Sequence, residues 1–291
     1  MLESWKYQQL TDSRHLRTDD KEQLSVCERL ISANRAAVGL GRYHFAMREL
    51  GCKLRVLDIA CGSGYGTALL SRGTGIEVVG ADLDAPSLET AHREYEVSLR
   101  ASFVRCSAEA LPFSSSKFDA VVSMETIEHI LDPRRFLDEC KRILSRSGVL
   151  VISTPNKDVF SPNSKTTSSP FHLVEYRLDE FKELLHENFD SVRLYGQSPM
   201  PVGASRMRTM DHLAHWVKTV VYDLPIAEII LRPILQLLSP QYAPVDLTNP
   251  SLFEQILRFQ PSIVPIDEIK QGSIATIFIA VAASERDKSA P

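Results

Sequence analysis

With 291 residues, 44% of them hydrophobic and 24% charged, the chain is long enough for one large core with an elaboration and too apolar for a disordered segment. Thirty-three basic against 37 acidic side chains leave a formal net charge of -4, so there is no overall basic field for nucleic acid. The five cysteines (Cys27, Cys52, Cys61, Cys106, Cys140) are an odd number with no C-x-x-C pair, which argues against a disulfide framework and reads as small apolar residues of a chain in a reducing, cytoplasmic setting.

The N-terminal stretch MLESWKYQQLTDSRHLRTDD has no apolar leader segment, and no run of about 18 apolar residues occurs, so secretion and membrane spanning are both disfavoured. Residues 1–25 read as an arm or a lid that orders on ligand binding. From Val26 to Leu50, apolar residues at helical spacing predict one or two helices, with Arg42-Tyr43-His44-Phe45-Ala46 towards the end. Then strands and helices alternate. Arg55–Ala60 is a strand, Gly66–Arg72 a helix and Glu77–Ala81 a strand; Asp84–Leu99 is a helix opened by an Asp84 cap and Pro86 in the first turn. Strands Ser102–Cys106 and Phe118–Ser123, helix Pro133–Leu144, strand Gly148–Ser153, helix Leu178–Asn188, a short strand near Ser191–Tyr195 and a final strand Ile274–Ala282 follow. Such alternation predicts an α/β fold, a parallel sheet with helices on both faces. Residues 198–272 read as a helical insertion before the last strand. Its segment Val217–Leu238 carries Lys218, Asp223, Glu228 and Arg232 among aliphatic residues and is interrupted by Pro225 and Pro233. It reads as a cap on the core, with a homodimer contact, an acceptor lid or a membrane-surface helix as alternatives. The chain thus divides into an arm and helices (1–50), a core (51–197), the insertion (198–272) and a last core strand with its tail (273–291).

The most informative stretch is Val56-Leu57-Asp58-Ile59-Ala60-Cys61-Gly62-Ser63-Gly64-Tyr65-Gly66, an aliphatic strand running into G-x-G-x-G. Glycines there let the backbone approach a ligand closely. The spacing is not the G-x-G-x-x-G of dinucleotide loops, and Asp58 ahead of it would repel phosphate, so the loop suits a cationic, phosphate-free ligand. Asp82 closes the second strand, where a carboxylate can accept two hydrogen bonds from a ribose diol. Arg105-Cys106-Ser107-Ala108-Glu109-Ala110-Leu111-Pro112-Phe113, then Phe118 to Glu125, then Arg142 to Asn156 complete the series.

In this order the segments resemble the class I S-adenosylmethionine-dependent methyltransferases over about residues 40–197 and the last strand. The resemblance implies a Rossmann-like, seven-stranded sheet whose last strand inserts antiparallel. It implies that Gly62 and Gly64 line the methionine part of S-adenosyl-L-methionine, with Asp58 near its positive charges. Asp82 and Leu83 would then meet the ribose side, Ala108 and Glu109 flank the adenine, and Met124 borders the same cleft. Many relatives carry an acid where Ser107 stands, so the usual contact to the adenine amine is in question.

After the fourth strand comes Glu125-Thr126-Ile127-Glu128-His129. On a helical turn Glu125, Glu128 and His129 would share one face. Either His129, with Glu128 beside it, is a general base towards an acceptor hydroxyl, or the three residues bind a divalent cation that activates the acceptor. A structural role, with Glu128 and His129 bracing a short helix, is the third reading. The pattern E-x-x-E-H is similar to that of ubiquinone-biosynthesis O-methyltransferases and of small-RNA 2′-O-methyltransferases. The second likeness implies a further histidine ligand, for which His172 is the candidate. Two carboxylates and two imidazoles suit Mn or Zn better than Mg. Arg42 or Tyr43 could reach the cofactor's carboxylate from the N-terminal helix, but they read as a solvated charge and packing; His186, His212 and His215 read as surface or core residues, and Cys61 as a small loop residue. Phe171–Gln197 also looks like methyltransferases of bacterial surface-glycan and natural-product pathways. The expected activity is O-methylation of a small molecule, a lipid-linked precursor or a saccharide. The alternatives are an RNA 2′-O-methyltransferase, for which Arg206 and Arg208 are too few to form a basic channel, and a non-catalytic cofactor-binding regulatory protein.

Overall fold

The computed structural model describes residues 38–51, 55–74, 77–96, 101–162, 166–169, 171–197, 263–269 and 275–284. A helix over 38–50 (α1) precedes β1 (Arg55–Ile59), α2 (Tyr65–Thr74), β2 (Glu77–Asp82), α3 (Ala85–Ala91) and β3 (Ala101–Arg105). Then come β4 (Phe118–Met124), α4 (Pro133–Ile143), β5 (Leu144–Pro155), α5 (Lys157–Phe160), α6 (Leu178–His186), β6 (Ser191–Gln197), β7 (Ile263–Pro265) and β8 (Ile277–Ala283).

These strands form one sheet in the order β3-β2-β1-β4-β5-β8-β6-β7. The β3-β2-β1-β4-β5 half is parallel, and β8 inserts antiparallel between β5 and β6. Successive side chains of a strand point to opposite faces, and the two cores follow from that alternation. Leu57, Val121 and Leu150 pack with Phe136 and Leu137 of α4 and Phe181 of α6. Their neighbours Val56, Ala120 and Val151 pack on the other face with Leu40, Tyr43 and Ala46 of α1 and Leu70 of α2. Helices therefore cover both faces, as the alternation predicts. Burying each of these aliphatic side chains contributes about 1.5–3 kcal/mol.

Two expectations need correction. Among the described residues the sheet has eight strands, not seven: Ile263–Pro265 pairs antiparallel with the outer edge of β6, through Tyr195, Gly196 and Gln197. A three-residue strand ending in proline gives no alternation long enough to be seen in sequence, and proline is tolerated there because the strand lies at an edge. Consequently residues 263–269, assigned to the helical insertion, are a strand followed by a 3-10 turn over Ile266–Glu268. The rest of that insertion, with the dimer contact assigned to it, lies outside the described residues. The second correction concerns the helix expected over Asp84–Leu99. It is α-helical only to Ala91 and passes into a π turn over His92–Glu96. Its start is as predicted: the Asp84 side chain accepts the Ser87 N–H at 3.0 Å. Among the described residues, no helix is long and apolar enough to cross a membrane, and Cys61, Cys106 and Cys140 are free thiols.

Candidate active site

The loops at the C-terminal ends of β1, β2, β4 and β5 gather the residues singled out by the sequence. In open α/β sheets that edge is where ligands bind. Beyond β1 the backbone turns left-handed at Ala60, Gly62 and Gly64 (φ 57°, 54° and 82°). At Gly64 a Cβ would sit 2.7 Å from the Ala91 Cβ and 2.9 Å from the Phe103 ring, so only glycine lets the loop lie on α3 and β3. At Gly62 nothing lies within 4 Å of the same position, and the backbone faces open space.

Asp58, expected near the cofactor's positive charges, lies under the glycine loop. It is 0% exposed beneath the loop. Thr67 Oγ1 donates to it at 2.6 Å and the Tyr43 hydroxyl at 3.1 Å. Burial, outweighing these two hydrogen bonds and helped by the Asp82 charge, pushes the Asp58 carboxyl up to about 7. Tyr43, read as packing, is thus the support of the loop's acid. Asp82 stands at the rim: one carboxylate oxygen accepts the Gly62 N–H at 2.7 Å, the other the Asp84 N–H at 2.8 Å. Its oxygens are held where a diol could share them. Leu83, next to it, is 63% exposed. The loop Ser107–Ala110 closes on itself by a bridge. The Glu109 carboxylate accepts the Asp132 N–H at 2.8 Å and its carbonyl accepts Arg135 Nε at 2.9 Å, so Glu109 ties this loop to the start of α4. Ala108 packs against the core and Met124 is buried against Tyr43 and its neighbours.

The motif after β4 departs from the helical face assumed for it. Glu125 has a φ of 51°, and its N–H donates to the Ser153 carbonyl and hydroxyl, each at 3.1 Å. The left-handed residue breaks the helical register, and the short 3-10 turn starts only at Ile127. Glu125 therefore diverges from Glu128 and His129. It pairs with Arg42 at 2.9 Å, whose guanidinium also donates to Gln197 at 3.0 Å. Arg42 is 5% exposed, not solvated, and its Nε has no partner among the described residues.

Glu128, His129 and His172 do come together, offering ligand atoms within 4.8 Å of one another. Glu128 is fully buried; Thr154 Oγ1 donates to Oε2 at 3.1 Å, while Oε1 has no partner among the described residues. Burial, reinforced by the Glu125 charge, pushes its carboxyl up to about 7. His129 Nδ1 lies 2.8 Å from the Phe171 carbonyl. A carbonyl can only accept, so Nδ1 carries a proton, and in the neutral ring Nε2 is the nitrogen with the lone pair. His172 repeats the arrangement, with Nδ1 2.8 Å from Glu175 Oε1 and its ring 4.9 Å from that of His129. Although burial alone would raise it, the hydrogen bonds from His172, Ser161 and Ser168 hold the Glu175 carboxyl down at about 2. The loop is pinned to the turn because the Glu128 carbonyl accepts the N–H groups of Leu173 and Val174 at 2.8 and 3.2 Å. Glu175, Thr154 and Thr67 were not singled out by the sequence, in which Arg42 is a candidate that reads as solvated. The spacing His172-x-x-Glu175 was the one local signal available.

A family model described as "Methyltransferase domain" matches residues 57–152, from the glycine loop through β5. Residues 57–152 form a methyltransferase domain of the class I S-adenosylmethionine-dependent kind. The chain is 35% identical over 157 residues to a probable S-adenosylmethionine-dependent methyltransferase of Mycobacterium tuberculosis, covering 54% of each chain. A ubiquinone biosynthesis O-methyltransferase of Cereibacter sphaeroides is 37% identical over 106 residues, 36% of this chain and 42% of that protein. The chain thus spans about half the length of the curated relatives it matches. A solved structure from Thermotoga maritima, described as a possible histamine N-methyltransferase, superposes with a TM-score of 0.54 over 90% of this chain and 96% of that one. At 14% identity this likeness shows the methyltransferase fold alone.

Proposed function

We propose that the protein transfers a methyl group from S-adenosylmethionine to a hydroxyl oxygen of a small molecule or saccharide, with His129 as the general base. The observation that carries this reading is the Nδ1–H contact to the Phe171 carbonyl, which leaves Nε2 of an exposed histidine as a proton acceptor beside the cofactor edge. The residues present suit the cofactor. The backbone at Gly62 is open, Asp82 offers two carboxylate oxygens for the ribose, and Leu83 with the Ala108–Glu109 loop borders an adenine. Gly64 shapes the methionine end and Met124 backs it. There, the buried Arg42 guanidinium suits a carboxylate and Glu125 an ammonium.

Bound in this cleft, the cofactor supplies an electrophilic methyl group on a cationic sulfur. His129 Nε2 would take the acceptor's hydroxyl proton, and the bound cofactor would supply the methyl group to that oxygen. As it ionises above about pH 7, Asp58 adds a buried negative charge beneath the loop that favours the cation. Holding nucleophile and methyl in line provides most of the acceleration. Along the nearby α6, Asp179, Glu180 and Glu183 outnumber Lys182, which disfavours RNA as the acceptor.

A second reading is favoured by the unpartnered Glu128 Oε1. Glu128, His129 and His172 would hold a divalent cation, with Glu175 orienting His172 as carboxylates orient metal-bound imidazoles. Two imidazoles and one carboxylate suit Zn or Mn rather than Mg. Glu125, engaged by Arg42, is not in that set.

The test is release of S-adenosylhomocysteine with a panel of phenolic, aliphatic and sugar hydroxyls. His129→Ala is expected to lower turnover about 10²–10⁴-fold with unchanged affinity for S-adenosylhomocysteine. If no hydroxyl supports release, the catalytic reading fails in favour of a non-catalytic binding protein. Calorimetric titration with Mn and Zn decides the cation: no binding, with full turnover in chelator, refutes it.

A further inference from the structure

The loops that carry the two histidines also carry exposed apolar side chains. Leu131 is 84% exposed, Phe171 77% and Leu173 59%. Isolated apolar side chains on a surface are ordinary. Three of them, each within two residues of His129 or His172, form a patch at the mouth of the candidate site. Leu131 and Leu173, with Ile130, Pro133 and Val174, line a cleft of about 500 Å³ between the 130–134 segment and α6. That volume falls within the range of small-molecule sites, about 300–1,000 Å³. Tyr176 and Leu184 also line it, and the buried Tyr176 hydroxyl has no hydrogen-bond partner among the described residues. The rim is acidic: Glu180, Glu183 and Glu187 stand around it, and its one arginine, Arg134, is already paired with Glu187 at 2.6 Å.

We propose that this cleft binds the apolar arm of the acceptor, an uncharged alkyl or aryl chain continuing from the hydroxyl presented to His129. The inference rests on the methyl-transfer reading above and narrows its substrate class. Continuity with the acceptor side supports it, since Ile130 directly follows His129 and Leu173 directly follows His172. The acidic rim selects against an anionic occupant, whether a charged acceptor or the surface of an anionic membrane.

The neutral fluorophore N-phenyl-1-naphthylamine probes the cleft without any knowledge of the acceptor. The intact chain is expected to bind it, to release it on addition of 1-decanol, and to bind it at least tenfold more weakly as the Leu131→Asn/Leu173→Asn double variant. Both positions are exposed, so the fold is retained, and S-adenosylhomocysteine affinity should be the same in both proteins. Equal probe affinity in the two proteins, absence of probe binding, or co-sedimentation with phosphatidylglycerol vesicles in place of probe binding overturns the proposal. Absence of S-adenosylhomocysteine binding to the unsubstituted chain would instead overturn the methyl-transfer reading on which it rests.

Discussion

Asp58→Asn should stabilise the protein at neutral pH while removing a preference for the cationic cofactor. Folded, Asp58 keeps its proton up to about pH 7 because burial outweighs the Thr67 and Tyr43 hydrogen bonds, whereas its ordinary value is 3.8. Between those values the folded state binds more protons than the unfolded one, so stability falls as pH rises through the window. The full gap corresponds to about 4 kcal/mol above pH 7, of which about 2–3 kcal/mol falls between pH 5 and 8. Asparagine keeps an oxygen to accept from Thr67 and Tyr43 but does not titrate. Glu128, also raised to about 7, contributes a slope of the same sign to both proteins and cancels in the comparison. Urea denaturation from pH 5 to 8 should show the unsubstituted chain losing about 2–3 kcal/mol relative to Asp58→Asn. Calorimetry adds the functional half. The preference for S-adenosylmethionine over uncharged-sulfur S-adenosylhomocysteine should rise with pH in the unsubstituted chain and stay flat in the variant. Parallel stability curves for the two proteins would refute the reasoning.

Asp82→Ala removes the carboxylate that meets the Gly62 and Asp84 N–H groups. Charge-assisted bonds are worth about 1.5–3 kcal/mol each, so S-adenosylhomocysteine affinity should drop roughly 10–100-fold by calorimetry. Gly64→Ala puts a Cβ 2.7 Å from that of Ala91 at a φ of 82°. At about 1–3 kcal/mol for the strained backbone alone, it should lower the melting temperature by several degrees. Glu175→Gln turns an amide towards Ser161, Ser168 and His172, which all donate to the carboxylate. If Glu128, His129 and His172 hold a cation, turnover should fall at least tenfold, and in either case the unsubstituted chain should lose the stabilisation from Glu175 only as pH drops below the ordinary 4.5 towards about 2. A variant with the same acid-denaturation profile as the unsubstituted chain would contradict that assignment.

The cofactor half of the site was legible because its signals are local. An aliphatic strand, glycines forced by left-handed backbone, and an acid closing the next strand can each be seen in a short window, and the structure places Gly62, Gly64 and Asp82 on one edge. The acceptor half depends on long-range partners. Glu125 looks like a helical neighbour of Glu128 until Ser153 and Arg42 fix its backbone and side chain, and neither contact leaves a mark in the motif. Arg42 reads as solvated because a helical arginine usually is, yet Gln197, 155 positions away, buries it. Likewise the buried acid of Glu175 becomes visible only when Ser161 and Ser168 fold over it. Strand β7 was hidden by its length, and β5 begins earlier than expected because α4 passes into it at Leu144 without a glycine or proline to mark the change.

The central claim is methyl transfer to oxygen at the His129 edge of the cleft. Incubating the protein with S-adenosylmethionine carrying a ¹³C-labelled methyl group and a hydroxylated alkyl-aryl acceptor, then reading the product by NMR, tests it most directly. The expected result is a labelled O-methyl resonance that depends on His129. Label on nitrogen or carbon, or an O-methyl product formed equally well by His129→Ala, would contradict the account.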